Sequence, residues 1–168
     1  MNPALLNVLV NFGSVLLAQS IPFGSRPEYV LWARVWFVFS HIACIVVYYY
    51  CYDKADRRND LRPLKYMNYK SKSDKPHVTT VRDYDLVETT TGMTNVFLAL
   101  LFVGFLHVYA RYTSPLVAES LVLSWHSINA PVVKVWFWGR PATGDLARPF
   151  HASQRIAKPD DAAQGTAK

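Results

Sequence analysis

Charge is distributed along this chain in blocks. Residues 1–52 carry three charged side chains, Arg26, Glu28 and Arg34, and residues 92–110 carry none. The other 27 of the 30 Lys, Arg, Asp and Glu residues fall in 53–91 and 111–168. A water-soluble fold spreads charge over the outer face of every amphipathic element. Two apolar blocks flanking a charged one therefore indicate a polytopic membrane protein. In a chain that is 51% apolar the overall composition does not reveal this; the placement does.

The block 4–22 is uncharged and about long enough to cross a hydrocarbon core. No Lys or Arg precedes it and no convincing cleavage site follows, so it reads as a retained span. A tight turn with Pro22, Gly24 and Pro27 leads into a second block, 29–52, interrupted by Arg34, Ser40 and His41. Two spans joined by so short a turn form an antiparallel hairpin. Cys44 and Cys51 lie seven apart in the second span, about 10 Å along a helix and too far for a disulfide.

Residues 53–79 read as a charged loop, with 68–75 polar and flexible. Thr80 and Asp83 fit a helix start, with Asp83, Asp85 and Glu88 near its positive end. That helix, 80–112, contains a third span, 92–110. Residues 113–150 read as an interfacial region. Leu116, Val117, Leu121 and Ile128 suggest an amphipathic interfacial or re-entrant helix, and 132–138 alternates weakly as a short extended segment. Residues 151–168 read as a disordered tail. The fold class is thus an all-α membrane protein with three transmembrane helices and an interfacial C-terminal segment. Seven Lys and Arg in the twenty residues after Tyr52 place the loop in the cytosol.

Nucleotide-binding, metalloprotease and serine-hydrolase motifs are missing, and the five histidines show no metal-ligand spacing. The reading is a non-enzyme without cofactor or metal. Polar residues inside the spans are more informative, because each costs free energy in hydrocarbon. Asn7, Asn11 and Ser14 share one face of the first span, and Arg34 and His41 one face of the second. Asn95 and His107 come from the third at overlapping depths. These seven residues delineate a hydrophilic intramembrane groove, or else hydrogen bonds between helices with Arg34 snorkelling to the interface. In the loop, Arg57, Arg58, Arg62 and Lys65 are placed to contact ribosomal RNA or anionic lipid, or serve only as topology determinants.

Two runs go beyond such patterning. They are Val78-Thr79-Thr80-Val81-Arg82-Asp83-Tyr84-Asp85-Leu86 and Gly139-Arg140-Pro141-Ala142-Thr143-Gly144-Asp145-Leu146-Ala147-Arg148-Pro149-Phe150. Together with Met1-Asn2-Pro3, Leu64-Lys65-Tyr66 and Arg111-Tyr112-Thr113-Ser114-Pro115-Leu116, they resemble a fungal membrane family. It is the one named for inorganic phosphate transport and identified with the third component of the SRP-independent (SND) targeting pathway. The resemblance spans residues 1–150. It implies a multi-pass endoplasmic reticulum protein that helps target and insert membrane proteins. The implied partners are the protein-conducting channel, the ribosome, other SND components and nascent clients in the bilayer. The alternative is a phosphate transporter or a subunit of one, although three spans without a repeat are few for a carrier.

Overall fold

The computed structural model describes residues 3–68, 76–151 and 154–156. Among these residues it has five α-helices: α1 (Pro3–Ser20), α2 (Pro27–Arg58), α3 (Val81–Ala110), α4 (Ser114–Asn129) and α5 (Pro131–Trp136). Three short strands, β1 (Pro63–Asn68), β2 (His77–Thr80) and β3 (Gln154–Ile156), form an antiparallel sheet in the order β2-β1-β3. The chain divides into two units, Met1–Tyr49 with Thr91–Ala130, and Tyr50–Thr90 with Pro131–Lys168.

The first unit is built inside out relative to a soluble core. Trp32, Phe39, Ile42, Phe102 and Phe105 are exposed, while Ser40, His41, Ser120 and Ser127 are buried. Large apolar side chains facing outward and small or polar ones between helices is the pattern of helices packed in lipid. Helices α2 and α3 are long and apolar enough to cross a membrane, and only 28% and 17% of their apolar windows are buried. A soluble core helix would bury most of such a window. α1 is also apolar but shorter. A small core gathers Ala33, Phe37, Val103 and Leu116, with Phe23, Leu100 and Val117 packed against it. α1 lies against α4, burying Ser14 and Ala18. Arg111 ends α3 in the left-handed region at φ 61°, which costs an arginine on the order of 1–2 kcal/mol.

The second unit holds the structure that the residue pattern does not announce. Residues 53–79 are not simply a loop: α2 stays helical to Arg58, and β1 pairs with β2 from Pro63↔Thr80 to Tyr66↔His77. Asn59, at φ 48°, closes α2 in a conformation that asparagine tolerates well. The sheet means that the fold is mostly helical and not all-α. The alternation over 132–138 reads as extended, yet Pro131–Trp136 is a helix. Pro131 presets the helical φ where no N–H is needed. Val132, Val133 and Trp136 are the buried residues, an arc on one helical face that alternation would have split. In the tail, Gln154–Ile156 pairs with Tyr66–Asn68 as β3, so 151–168 is not uniformly without structure. The expected flexible stretch lies, from residue 69 to 75, outside the described residues, as does the tail from 157.

Candidate functional site

In the first unit the polar residues of the apolar helices form two hydrogen-bonded clusters. Asn7 Oδ1 accepts from Trp125 Nε1 at 3.0 Å. One helical turn further on, Asn11 Oδ1 lies 3.0 Å from His126 Nε2. Ser14 continues that face and is buried where Ser124 and Trp125 line the same cavity. The second cluster joins α2 to α3. Arg34 Nε donates to His107 Nε2 at 2.9 Å, and His107 Nδ1 lies 3.0 Å from the Tyr112 carbonyl. With Nε2 accepting, the proton sits on Nδ1 and is donated to Tyr112, so both ring nitrogens are satisfied. Arg34, His107 and Arg111, together with Phe37, Gly104 and Leu116, line a cavity of about 400 Å³.

His41 and Asn95 stand apart from both clusters. His41 is fully buried, donates from Nδ1 to the Phe37 carbonyl at 2.7 Å and packs against the Phe37 ring at a tilt of 54°. Its Nε2 has no hydrogen-bond partner among the described residues. Asn95 is exposed on α3. Arg34 and Asn11 are exposed, and Asn7 and His107 half-buried. Polar atoms that are bonded yet accessible, on helices otherwise lined with apolar side chains, give this unit a surface of mixed character.

The second unit brings the two signature runs together. Asp85, fully buried, accepts from Arg148 Nε at 2.6 Å on Oδ1 and from Arg148 Nη2 on Oδ2. Trp136 Nε1 donates to the same Oδ2 at 2.8 Å. A bidentate guanidinium plus an indole N–H is the kind of satisfaction that a desolvated carboxylate requires. One residue earlier, Tyr84 OH accepts the Phe150 N–H at 2.9 Å, and the two rings pack together. Burial pushes the Tyr84 phenol well above its ordinary value, so it stays protonated. The Thr80 hydroxyl caps α3 by accepting from Asp83 N at 3.1 Å. Arg82 reaches back to Asp56 at 3.0 Å, and the Val81 and Arg82 N–H groups donate to the Arg62 and Asp60 carbonyls.

Above this framework lies a cavity of about 490 Å³. Lys54, Arg58, Arg62, Arg140 and Arg148 line it, with Asp60 the one acidic residue among its lining. Lys54 Nζ is held by Tyr50 OH and the Trp136 carbonyl, each at 3.2 Å. Arg58 sits over the Trp136 ring, 5.8 Å from its centroid. Arg62 grips Asp60, and that hydrogen bond holds the Asp60 carboxyl down at about 2. Gly139, at φ 67°, turns the chain out of α5 and sends Arg140 to the cavity wall. Of the four loop cations expected to make contacts, Arg58 and Arg62 line the cavity. Arg57 instead pairs with Asp53 at 2.9 Å, and Lys65 is exposed on β1.

Lys54 belongs to the basic loop by residue type, but nothing in the residue pattern joins it to Asp85, Trp136, Arg140 and Arg148. For Asp85, Arg140 and Arg148 the signal was the pair of runs 78–86 and 139–150, which carry the acidic and the basic member of one buried ion pair.

The family described as "Phosphate transport (Pho88)" matches residues 1–168. A protein of Saccharomyces cerevisiae (strain ATCC 204508 / S288c) named SRP-independent targeting protein 3 is 30% identical over 156 residues, covering 90% of this chain and 82% of its own. An SRP-independent targeting protein 3 homolog of Schizosaccharomyces pombe (strain 972 / ATCC 24843) is 27% identical over 157 residues, covering 90% and 80%. No solved structure matches.

Proposed function

Because the chain belongs to the Phosphate transport (Pho88) family, we propose that it is a non-enzymatic endoplasmic reticulum factor for targeting and inserting membrane proteins. It works beside the protein-conducting channel and the ribosome, with other SND components, on nascent membrane-protein clients. The relatives named for SRP-independent targeting support the targeting part of this reading. The insertion step rests on one observation: Arg34 and Asn11 are exposed on apolar helices and carry hydrogen-bonded partners. An insertion factor lowers the cost of moving a polar flank through hydrocarbon, and an accessible polar face does this by exchanging hydrogen bonds with the passing segment. The Arg34 guanidinium also attracts acidic flanks.

Membrane thickness supports both the location and a third span. Eighteen residues make α1 about 27 Å long. That equals the hydrocarbon thickness of the endoplasmic reticulum, about 27 Å, and falls about 5 Å short of the plasma membrane.

Photocrosslinking tests the proposal. A photoreactive residue at Asn11 or Arg34 is expected to capture nascent membrane proteins, and one at outward-facing Phe105 is not. Equal capture at all three positions, or none at Asn11 and Arg34, rejects the groove. The family description favours a second reading, a phosphate transporter or a subunit of one. Phosphate flux into liposomes containing this chain alone would establish transport in place of insertion.

A further inference from the structure

The cavity of the second unit has no part in the insertion reading, and its chemistry is specific. Lys54, Arg58 and Arg140 are exposed cations lining it, and none is paired with a carboxylate among the described residues. The two other cations in its wall are each neutralised, Arg62 by Asp60 and Arg148 by Asp85. What is left is a concave site of net positive charge. Its three open cations arise from two stretches of chain far apart in sequence, α2 and the segment after α5. Two are planar guanidinium forks and one a point charge, a set suited to an anion that offers several oxygens in different directions.

The position within α2 says where such an anion is found. The apolar block of α2 ends at Tyr52, and Lys54 and Arg58 lie within the next two turns. That is the level at which an apolar helix leaves hydrocarbon for the headgroup layer. Aromatic residues in the same unit repeat the signal. Tyr50, Phe137 and Trp138 are exposed and contact one another edge to face, Tyr50 with Phe137 and Phe137 with Trp138. Exposed Tyr and Trp adjoining the end of an apolar helix form an interfacial anchor. Phe137 and Trp138 directly follow Trp136, whose ring lies beneath Arg58. The cationic cavity and the aromatic ledge are therefore continuous in the chain.

We propose that Lys54, Arg58 and Arg140 form a binding site for a phosphate group, carried by an anionic phospholipid whose acyl chains lie along the Tyr50–Phe137–Trp138 ledge. The buried Asp85–Arg148–Trp136 cluster is the floor that keeps the cavity open. The second signature run then has two tasks: Arg148 secures the floor and Arg140 supplies a ligand.

The test uses the full chain purified in detergent and native mass spectrometry with equimolar phosphatidic acid, phosphatidylserine and phosphatidylcholine. One anionic lipid per chain is expected to survive gas-phase activation, in preference to phosphatidylcholine. Lys54→Gln with Arg140→Gln should lower that retention roughly tenfold or more, at about 1 kcal/mol per interfacial cation. Lys54→Gln alone should lower it several-fold, whereas Arg57→Gln, which removes one charge from the same helix outside the cavity, should leave it unchanged. Inorganic phosphate alone, binding with the same dependence on Lys54 and Arg140 while the lipids do not bind, would keep the phosphate site and overturn its lipid source. No preference for anionic lipid and no phosphate binding overturns the site. So does an equal loss in the Arg57→Gln chain. Thermal unfolding of each variant confirms that the fold is kept. None of these readouts depends on client insertion.

Discussion

Asp85 is fully buried, and its two oxygens are held by Arg148 and the Trp136 indole. An ion pair in such a place is weak evidence of net stability, because both charges lose hydration. Removing one member is another matter, since the survivor stays buried and uncompensated. Asp85→Ala is expected to destabilise the second unit by about 3–5 kcal/mol. Adding Arg148→Met should recover a large part of the loss, because no buried charge is then left over. Denaturant unfolding of both single variants and the double variant, in the same detergent, measures the coupling. Purely additive losses would mean that the pair is not what holds the two signature runs together. Nothing in the local pattern distinguishes Asp85 from Asp83 as an acidic residue near a helix start. The difference is made by residues 51 to 63 positions further along the chain, which spacing rules do not reach.

At the level of elements, periodicity reports burial against a neighbour, and it is legible only where one neighbour dominates. The long apolar stretches of α2 and α3 stand out because lipid is uniform on all sides. The helix at Ser114–Asn129 stands out because one face meets α1. α5 does not: its six residues are too few to establish a period, and tertiary burial of Val133 and Trp136 decides it. The sheet is equally hidden, since β1, β2 and β3 are short and β3 is supplied from the far end of the chain. Of the polar clusters, the α1 face of Asn7, Asn11 and Ser14 follows from helical spacing. The Arg34–His107 bond follows from counting depths along antiparallel spans. Their partners Trp125 and His126 do not, because the orientation of α4 has no sequence marker. A glycine shows the same dependence on a neighbour. Gly92 costs α3 about 1 kcal/mol of helix propensity relative to alanine. A Cβ at that position would overlap the Tyr48 ring on α2. Gly92→Ala should therefore destabilise the first unit by about 1–3 kcal/mol despite its better propensity. Tyr48→Leu in the same background should restore most of it. Unfolding midpoints in detergent settle the order, and a stabilising Gly92→Ala would show that the helices do not need this close approach.

At the scale of the whole molecule, length and surface chemistry decide between an α1 that crosses the bilayer and one that lies along it. Its 18 residues suffice for a thin bilayer and fall short of a thick one. An interfacial helix presents one apolar and one charged face, with lysines and arginines at the headgroups. α1 has no charged residue at all, and Leu5, Leu9, Phe12 and Leu16 are exposed around the side not used by Asn7, Asn11 and Ser14. Placing it flat would leave apolar surface in water without any electrostatic return from anionic lipid. Crossing buries that surface, and α4 satisfies the asparagines that crossing would otherwise strand. In the proposed topology the basic stretch after Tyr52 is the cytosolic side, which has α2 returning from the lumen and a crossing α1 beginning in the cytosol. An Asn-x-Thr acceptor on a flexible extension ahead of Met1 should then remain unglycosylated in endoplasmic reticulum microsomes. The same acceptor becomes modified if α1 does not cross, because the N-terminus then lies on the luminal side with the start of α2. Replacing Asn7 and Asn11 with Leu removes the polar cost of crossing and should leave the tag unmodified. Replacing Leu9 and Phe12 with Lys adds about 2.5–3.5 kcal/mol per residue near the helix centre on insertion scales. That change should push α1 out of the bilayer and switch the tag to the modified form, giving the assay a positive control within the same chain.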